Sequence, residues 1–269
     1  MKIKDALRES HFLLGSLVEA ETILSHILSA DKTCLYLHED EEIAEQNLEK
    51  IKEIVKRRRE GVPLSYVLKK ASFMALDFYV DERVFIPRKE TELLVEEIIE
   101  FIKRSKKKRL FLLDMGTGSC CIPISVFYYT HRTKTIAIDK SFSALEVAKK
   151  NVEKYSLKDD ISLVCGDLFS PLNEKFDIVI SNPPYVSTGD YCKVSEEVKK
   201  EPIGALIAGK DGLDVIKVLI EEGRKFLLPD GILIFEIGYN QEEMVKSMYP
   251  CVVKRDCAGI PRYAIVKNE

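Results

Sequence analysis

Leu110-Phe111-Leu112-Leu113-Asp114-Met115-Gly116-Thr117-Gly118-Ser119-Cys120-Cys121 reads as the end of one element, a turn and the start of another. The apolar run Leu110–Leu113 has the length and continuity of a buried strand. Gly116 and Gly118 allow a tight turn and close approach of backbone to a ligand. The apolar stretch that follows has helical length. Strand, glycine loop and helix in that order form the first crossover of a nucleotide-binding α/β sheet. The next apolar run, Thr135-Ile136-Ala137-Ile138, ends in Asp139, 21 residues after Gly118, where a carboxylate can hold a ribose diol. A dinucleotide fingerprint counted from Gly116 needs a glycine at position 121, and Cys121 stands there. No Gly-Lys-Ser/Thr follows the glycines, so a Walker loop is absent as well.

Farther along, Phe176-Asp177-Ile178-Val179-Ile180-Ser181 is another buried strand, and Asn182-Pro183-Pro184-Tyr185 ends it. The first proline steers Asn182 away from helix, and neither proline can donate a ladder hydrogen bond. A carboxamide, the Pro183 carbonyl and the Tyr185 ring are thereby held at a strand tip. Two adjacent acceptors suit the two hydrogens of a planar NH2 group, and a ring suits its flat face. A proline-rich turn without chemistry is the competing explanation for these four residues alone.

From Thr91 onward helices and strands alternate. The pattern predicts helix 91–104, strands 110–114, 134–139, 161–165, 176–181 and 231–237, and helices near 120–130, 141–154 and 212–227. Alternation of this kind gives a parallel sheet covered by helices on both faces. Cys251 to Lys267 reads as two closing strands around Asp256-Cys257-Ala258-Gly259. Parallel sheets bind ligands beyond the carboxyl ends of their strands. Asp114, Asp139, Asp167 and Asn182 each follow an apolar run, so four polar residues from four strands meet on one edge.

Before this domain, residues 1–69 read as helical. Val18, Leu24, Ile27 and Leu28 mark one amphipathic helix, and Ile43, Leu48, Ile51, Ile54 and Val55 mark a longer one, which Gly61-Val62-Pro63 stops. Residues 70–87 form a β-hairpin connector, expected as strands 76–80 and 84–86 around Asp81-Glu82. The catalytic domain is then 88–269.

The 269 residues, 46% hydrophobic and 32% charged, describe a globular chain. No apolar run approaches a membrane span, and the first residues lack the apolar core of a signal peptide. Seven cysteines without a C-x-x-C pair suggest reduced thiols in the cytoplasm, and four scattered histidines offer no metal spacing. Net charge is −3, which gives no global footprint for nucleic acid. The first 60 residues hold 10 basic and 13 acidic side chains, so the acidic excess lies in the helical segment. The runs Arg57-Arg58-Arg59 and Lys106-Lys107-Lys108-Arg109 read as solvated ends of elements.

Taken together, these motifs resemble the class I S-adenosylmethionine methyltransferases, and more narrowly the bacterial release factor glutamine methyltransferases. Besides the glycine loop, Asp139 and Asn182–Tyr185, the resemblance rests on several further stretches. These are Gly61–Tyr66, Phe85-Ile86-Pro87-Arg88-Lys89-Glu90-Thr91-Glu92, Gly166–Phe169, Glu201-Pro202, Asp211-Gly212-Leu213, Glu236-Ile237-Gly238 and Asp256–Gly259. The chain departs from the family's usual pattern at Cys120, where a third loop glycine is common. It departs also at Lys89, at Lys69-Lys70 and at Leu168, where an aromatic is frequent.

The resemblance implies a Rossmann-like α/β fold: a seven-stranded sheet, a small N-terminal helical bundle and a β-hairpin connector. It implies S-adenosyl-L-methionine as methyl donor and S-adenosyl-L-homocysteine as product. Gly116, Thr117, Gly118, Ser119 and Cys120 would hold the donor's methionine part, Asp139 its ribose, and Asp167 with Leu168 its adenine, with Asp114 and Asn182 among the donor-binding residues too. The substrate side would comprise Asn182, Pro183, Pro184, Tyr185 and Arg88, with Asn182, Pro183 and Tyr185 at the chemistry. The partner implied is a class 1 peptide chain release factor, methylated by a monomer on the glutamine of its Gly-Gly-Gln loop; no nucleic acid, membrane or metal is expected. Three alternatives share parts of the pattern: an adenine-N6 nucleic-acid methyltransferase, a ribosomal-protein glutamine methyltransferase, and a catalytically silent cofactor-binding scaffold.

Overall fold

A computed structural model describes residues 1–170 and 172–268. The chain divides into two compact units, Met1–Lys70 with Ser195–Lys200, and Ala71–Val194 with Glu201–Glu269.

The first unit is helical: α1 (Ile3–Leu14), α2 (Leu17–Leu28), α3 (Lys32–Leu37), α4 (Glu45–Arg59) and the short α5 (Leu64–Leu68). The Ser16 side chain accepts from the Glu19 N–H to cap α2, and Asp31 does the same for Cys34 in α3, which satisfies amides that open each helix. Ile23, Leu24, Leu35, Ile51 and Val55 form the buried center. Arg58 grips both oxygens of Glu19 at 2.9 Å and reaches Glu197 at 3.1 Å. A groove runs between α1 and α4, with Leu13, Leu48, Ile51 and Val55 along it and Lys52, Lys56 and Arg59 among its charged residues.

The second unit begins with a hairpin, β1 (Ala71–Phe73) and β2 (Leu76–Phe78). This differs from the expectation of strands at 76–80 and 84–86. The turn is Met74-Ala75, both at positive φ (50° and 56°), a two-residue turn whose twist suits a hairpin. Residues 79–83 instead gather around Asp81, whose carboxylate accepts from the Tyr79 hydroxyl, the Arg83 backbone and the Arg83 guanidinium. Ile86 sends its N–H to Glu201 at 3.0 Å, so the 84–86 segment pairs with a side chain and not with a strand.

There follow α6 (Lys89–Arg104), β3 (Leu110–Met115), α7 (Cys121–Thr130), β4 (Thr133–Asp139), α8 (Phe142–Lys154), β5 (Ile161–Cys165), β6 (Phe176–Ser181), α9 (Asp214–Gly223), β7 (Leu227–Glu236), α10 (Glu242–Met248), β8 (Val252–Arg255) and β9 (Pro261–Lys267). The sheet order is β5-β4-β3-β6-β7-β9-β8, parallel from β5 to β7 and antiparallel for β9 and β8. Alternation along each strand divides the core between two faces. Leu112, Ile178 and Ile180 pack with Leu94, Ile98 and Ile124 on one side. Leu113, Val179 and Phe235 pack with Leu213, Ile216 and Leu219 on the other. Helix α9 ends before its expected limit, and β7 starts at Leu227 instead of 231. A bulge in the β6–β7 ladder and the left-handed Asp230 absorb Pro229 within that strand. Strand β3 lies beside β6 although β4 and β5 intervene in sequence, and it is at such a switch point, beyond the carboxyl ends of the strands, that an open α/β sheet forms its ligand crevice.

Candidate active site

The crevice is built from the loop after β3. Gly116 and Thr117 donate their N–H groups to the Ile138 carbonyl at 2.9 Å, and Gly118 donates to Asp139 Oδ2 at 2.9 Å. Gly116 (φ 75°) and Gly118 (φ 52°) take left-handed backbone with open space where a Cβ would lie. Cys120 also sits at positive φ (65°), so this turn asks for glycine's geometry where a cysteine stands. Ser119 turns its carbonyl to the buried Asn151 amide at 2.9 Å, and the same amide pairs with the Tyr79 backbone in both directions.

Asp114 closes the bottom of this cradle. It is wholly buried, and neither carboxylate oxygen has a hydrogen-bond partner among the described residues. Burial, reinforced by the nearby charge of Asp139, pushes its carboxyl up to about 7. A buried carboxylate without a partner is costly, so this group calls for a cationic or donor group of a ligand. Asp139 is held on its second oxygen by the Ser141 N–H at 2.9 Å. Asp167 is exposed and Leu168 half-buried at positive φ (48°), after Gly166 donates to the Asp139 carbonyl. The sequence-derived residues Asp114 to Cys120, Asp139, Asp167 and Leu168 therefore come from the ends of three adjacent strands. An open glycine cradle, an orphaned acid and a fixed carboxylate fit an S-adenosylmethionine-type ligand.

The second half of the crevice is the tip of β6. Ser181 ties this tip to β3 through its hydroxyl and the Met115 carbonyl at 2.8 Å. Asn182 donates from Nδ2 to the Thr91 hydroxyl at 2.9 Å, and Thr91 donates to Glu236 Oε2 at 2.7 Å. Asn182 Oδ1 takes no hydrogen bond from the described residues. Glu236, at the end of β7, is 3% exposed, and burial raises its carboxyl to about 7 although the Thr91 hydroxyl donates to it and the nearby Tyr185 hydroxyl favors its charged form. Burial and that carboxyl together raise the Tyr185 hydroxyl. Behind Tyr185, Gln241 Nε2 donates to the carbonyls of Tyr185 and Gly212 at 3.1 Å, and its Oε1 accepts from the Gly238 N–H at 2.7 Å. Gly212 is at φ 76°, and a Cβ there would stand 2.3 Å from the Tyr185 carbonyl oxygen. Only glycine lets the backbone pass so close.

Arg88 pairs with Glu201 and lies over the Phe85 ring at 4.7 Å. Glu201 also holds the Ile86 N–H, so Arg88 organizes the segment entering α6. Thr91, Glu236, Gln241 and Asn151 escape sequence reasoning as site residues. Thr91 and Glu236 lie within stretches that mark the family, but their meeting across 145 residues leaves no periodic trace. Among the described residues no cluster of three His, Cys, Asp or Glu could hold a metal, and no helix is long and apolar enough to cross a membrane.

Residues 88–206 match the methyltransferase small domain, and residues 4–68 match the PrmC N-terminal domain. The chain is 36% identical to the release factor glutamine methyltransferase of Thermodesulfovibrio yellowstonii, with 100% of this chain and 99% of that one covered. It is 35% identical to the enzyme of the same name from Clostridium acetobutylicum, covering 92% and 90%. In fold it is similar to a T. thermophilus 16S rRNA methyltransferase solved with AdoMet and guanosine, at a TM-score of 0.54 and 15% identity, over 74% of this chain and 50% of that one.

Proposed function

The chain belongs to the family of release factor glutamine methyltransferases, and from that membership we propose that it methylates the side-chain amide nitrogen (N5) of the Gly-Gly-Gln glutamine in class 1 release factors. The observation that carries this reading is the state of Asn182: its Nδ2 is committed to Thr91, while Oδ1 takes no hydrogen bond from the described residues.

S-adenosyl-L-methionine, when bound, supplies an electrophilic methyl group and leaves as S-adenosyl-L-homocysteine. Asp114 would offer its carboxylate to the donor's ammonium, the Gly116–Cys120 backbone would cradle the methionine part, Asp139 would accept from the ribose hydroxyls, and Asp167 with Leu168 would border the adenine. Asn182 Oδ1 and the Pro183 carbonyl accept the two N–H bonds of the target amide, while Pro184 stiffens the tip and Tyr185 covers the amide plane. An amide nitrogen is a poor nucleophile because its lone pair is delocalized, on the scale of the ~18–20 kcal/mol rotation barrier. The two acceptors aim that lone pair and stabilize positive charge as it develops on nitrogen. Alignment can account for roughly 7–11 kcal/mol of the barrier, and fixed acceptors add to this. The proton leaves after transfer, so no strong base is needed before attack.

Residues 1–69 are read as the unit that docks the protein partner, 70–87 as connector and 88–269 as the catalytic domain. Arg88 is read as shaping the substrate entry. The enzyme acts as a cytoplasmic monomer in this reading. Labeled methyl transfer offered in parallel to release factor, ribosomal protein and DNA tests it. Incorporation into release factor is the expected result; incorporation into nucleic acid or ribosomal protein alone overturns it.

A further inference from the structure

Thr91 and Glu236 have no part in the chemistry assigned above, yet they form a buried chain ending on Asn182. A threonine hydroxyl has one hydrogen to donate, and an ionized carboxylate can only accept. With Thr91 donating to Glu236 at 2.7 Å, the hydroxyl can only accept from Asn182. The carboxamide must then turn Nδ2 toward Thr91, at 2.9 Å, and leave Oδ1 free to accept from a ligand. Both partners are nearly inaccessible, Thr91 at 2% and Glu236 at 3% exposure, so water does not substitute for either bond.

We propose that Thr91 and Glu236 are positioning residues that set the polarity of the Asn182 carboxamide and so present an acceptor to the incoming glutamine amide. The inference rests on the reading of Asn182 as an acceptor for that amide. The same carboxyl acts electrostatically on the nearby Tyr185 hydroxyl, so one acid bears on both the acceptor and the ring of the motif. Were Glu236 protonated, it could donate to Thr91, and Thr91 could donate to Asn182 Oδ1. The carboxamide would flip and face the target NH2 with its own NH2. The groups around Glu236 that bear on its charge are the Thr91 and Tyr185 hydroxyls and Arg262, which favor the carboxylate, and Glu90, which opposes it. Arg262 divides its charge between Asp256 at 2.7 Å and Glu90 at 3.7 Å. On the neighboring strand, Tyr263 turns its hydroxyl to Glu97 at 3.1 Å.

The test measures kcat at saturating cofactor, KM for release factor, and cofactor affinity by calorimetry in the full-length enzyme and four variants. Thr91→Val is expected to lower kcat by at least about tenfold, the cost of a buried group losing its partner, with cofactor affinity unchanged. Thr91→Ser restores the hydroxyl and is expected to restore most of the rate. Glu236→Gln can donate as well as accept. It is expected to lower kcat and to lack the fall in rate expected of the native enzyme below about pH 7, where Glu236 takes up a proton. Native kcat in Thr91→Val, equal damage in Thr91→Ser, or a parallel loss of cofactor affinity overturns the proposal. If Thr91→Val does not fold, Glu236→Gln decides: a native rate with a native pH profile overturns it. Asn182→Ala separates premise from inference. If it keeps the native rate, the reading of Asn182 fails and the inference with it. If it is inactive while Thr91→Val is fully active, only the positioning role fails.

Discussion

The Gly118 backbone N–H donates to Asp139 Oδ2 at 2.9 Å, so the turn after β3 and the acid ending β4 are one piece. One carboxylate orders the cradle and, in the reading proposed above, would offer its remaining lone pairs to a ribose. Asp139→Ala should therefore weaken S-adenosylmethionine binding more than it slows saturated turnover. Charge-assisted hydrogen bonds of about 1.5–3 kcal/mol correspond to roughly 10- to 150-fold in affinity. The ribose is unchanged by methyl transfer, so the loss should appear as uniform binding. Calorimetry finding native affinity in the variant contradicts this assignment.

Asp114 predicts a pH dependence of cofactor binding. Its folded-state carboxyl lies at about 7, above its ordinary 3.8, so the neutral form prevails below about 7. An ammonium partner prefers the carboxylate, and affinity should fall as pH drops through 7. Asp114→Asn should bind weakly with a flat profile. A native-like slope in the variant points to another group.

The same acid bears on stability without ligand. A pKa raised on folding contributes stability that is fully present below 3.8 and lost as pH rises through about 7. Asp114→Asn should therefore gain on the native enzyme at pH 8, by up to about 4 kcal/mol for a shift of this size. It should show little gain at acid pH. Thermal unfolding of the cofactor-free proteins at both pH values reads this directly, and an equal or lower melting temperature at pH 8 opposes it.

Gly212→Ala should disable the motif from behind. The left-handed backbone alone costs an alanine roughly 1–2 kcal/mol, and its Cβ would lie 2.3 Å from the Tyr185 carbonyl oxygen. At about 2–4 °C per kcal/mol for a domain of this size, the melting temperature should drop by several degrees, with kcat falling as Tyr185 is displaced. A variant with native melting temperature and rate shows that the loop yields without consequence.

The parallel strands were legible because they are short apolar runs, and β6, buried along its whole length, was read to the residue. Asp114, Asp139, Asp167 and Asn182 were legible as an edge because each ends such a run in a sheet of one direction. The hairpin was misplaced because its turn residues, Met74 and Ala75, carry no turn signal: positive φ is normally announced by Gly, Asn or Asp. Helix α10 was missed because it buries only Val245 and so leaves no periodicity. The relay from Glu236 through Thr91 to Asn182 was invisible because hydrogen-bond polarity between elements distant in sequence has no local signature.

The most direct test of the account is mass spectrometry of a class 1 release factor after incubation with S-adenosyl-L-methionine and either the native enzyme or Asn182→Ala. The account predicts a gain of one methyl on the Gly-Gly-Gln glutamine with the native enzyme. With Asn182→Ala it predicts loss of at least about a hundredfold in rate, the scale of removing a preorganized polar contact to developing charge, while cofactor affinity stays close to native. Methylation at another residue, or a variant retaining more than about half the native rate, far above the level that loss implies, contradicts it.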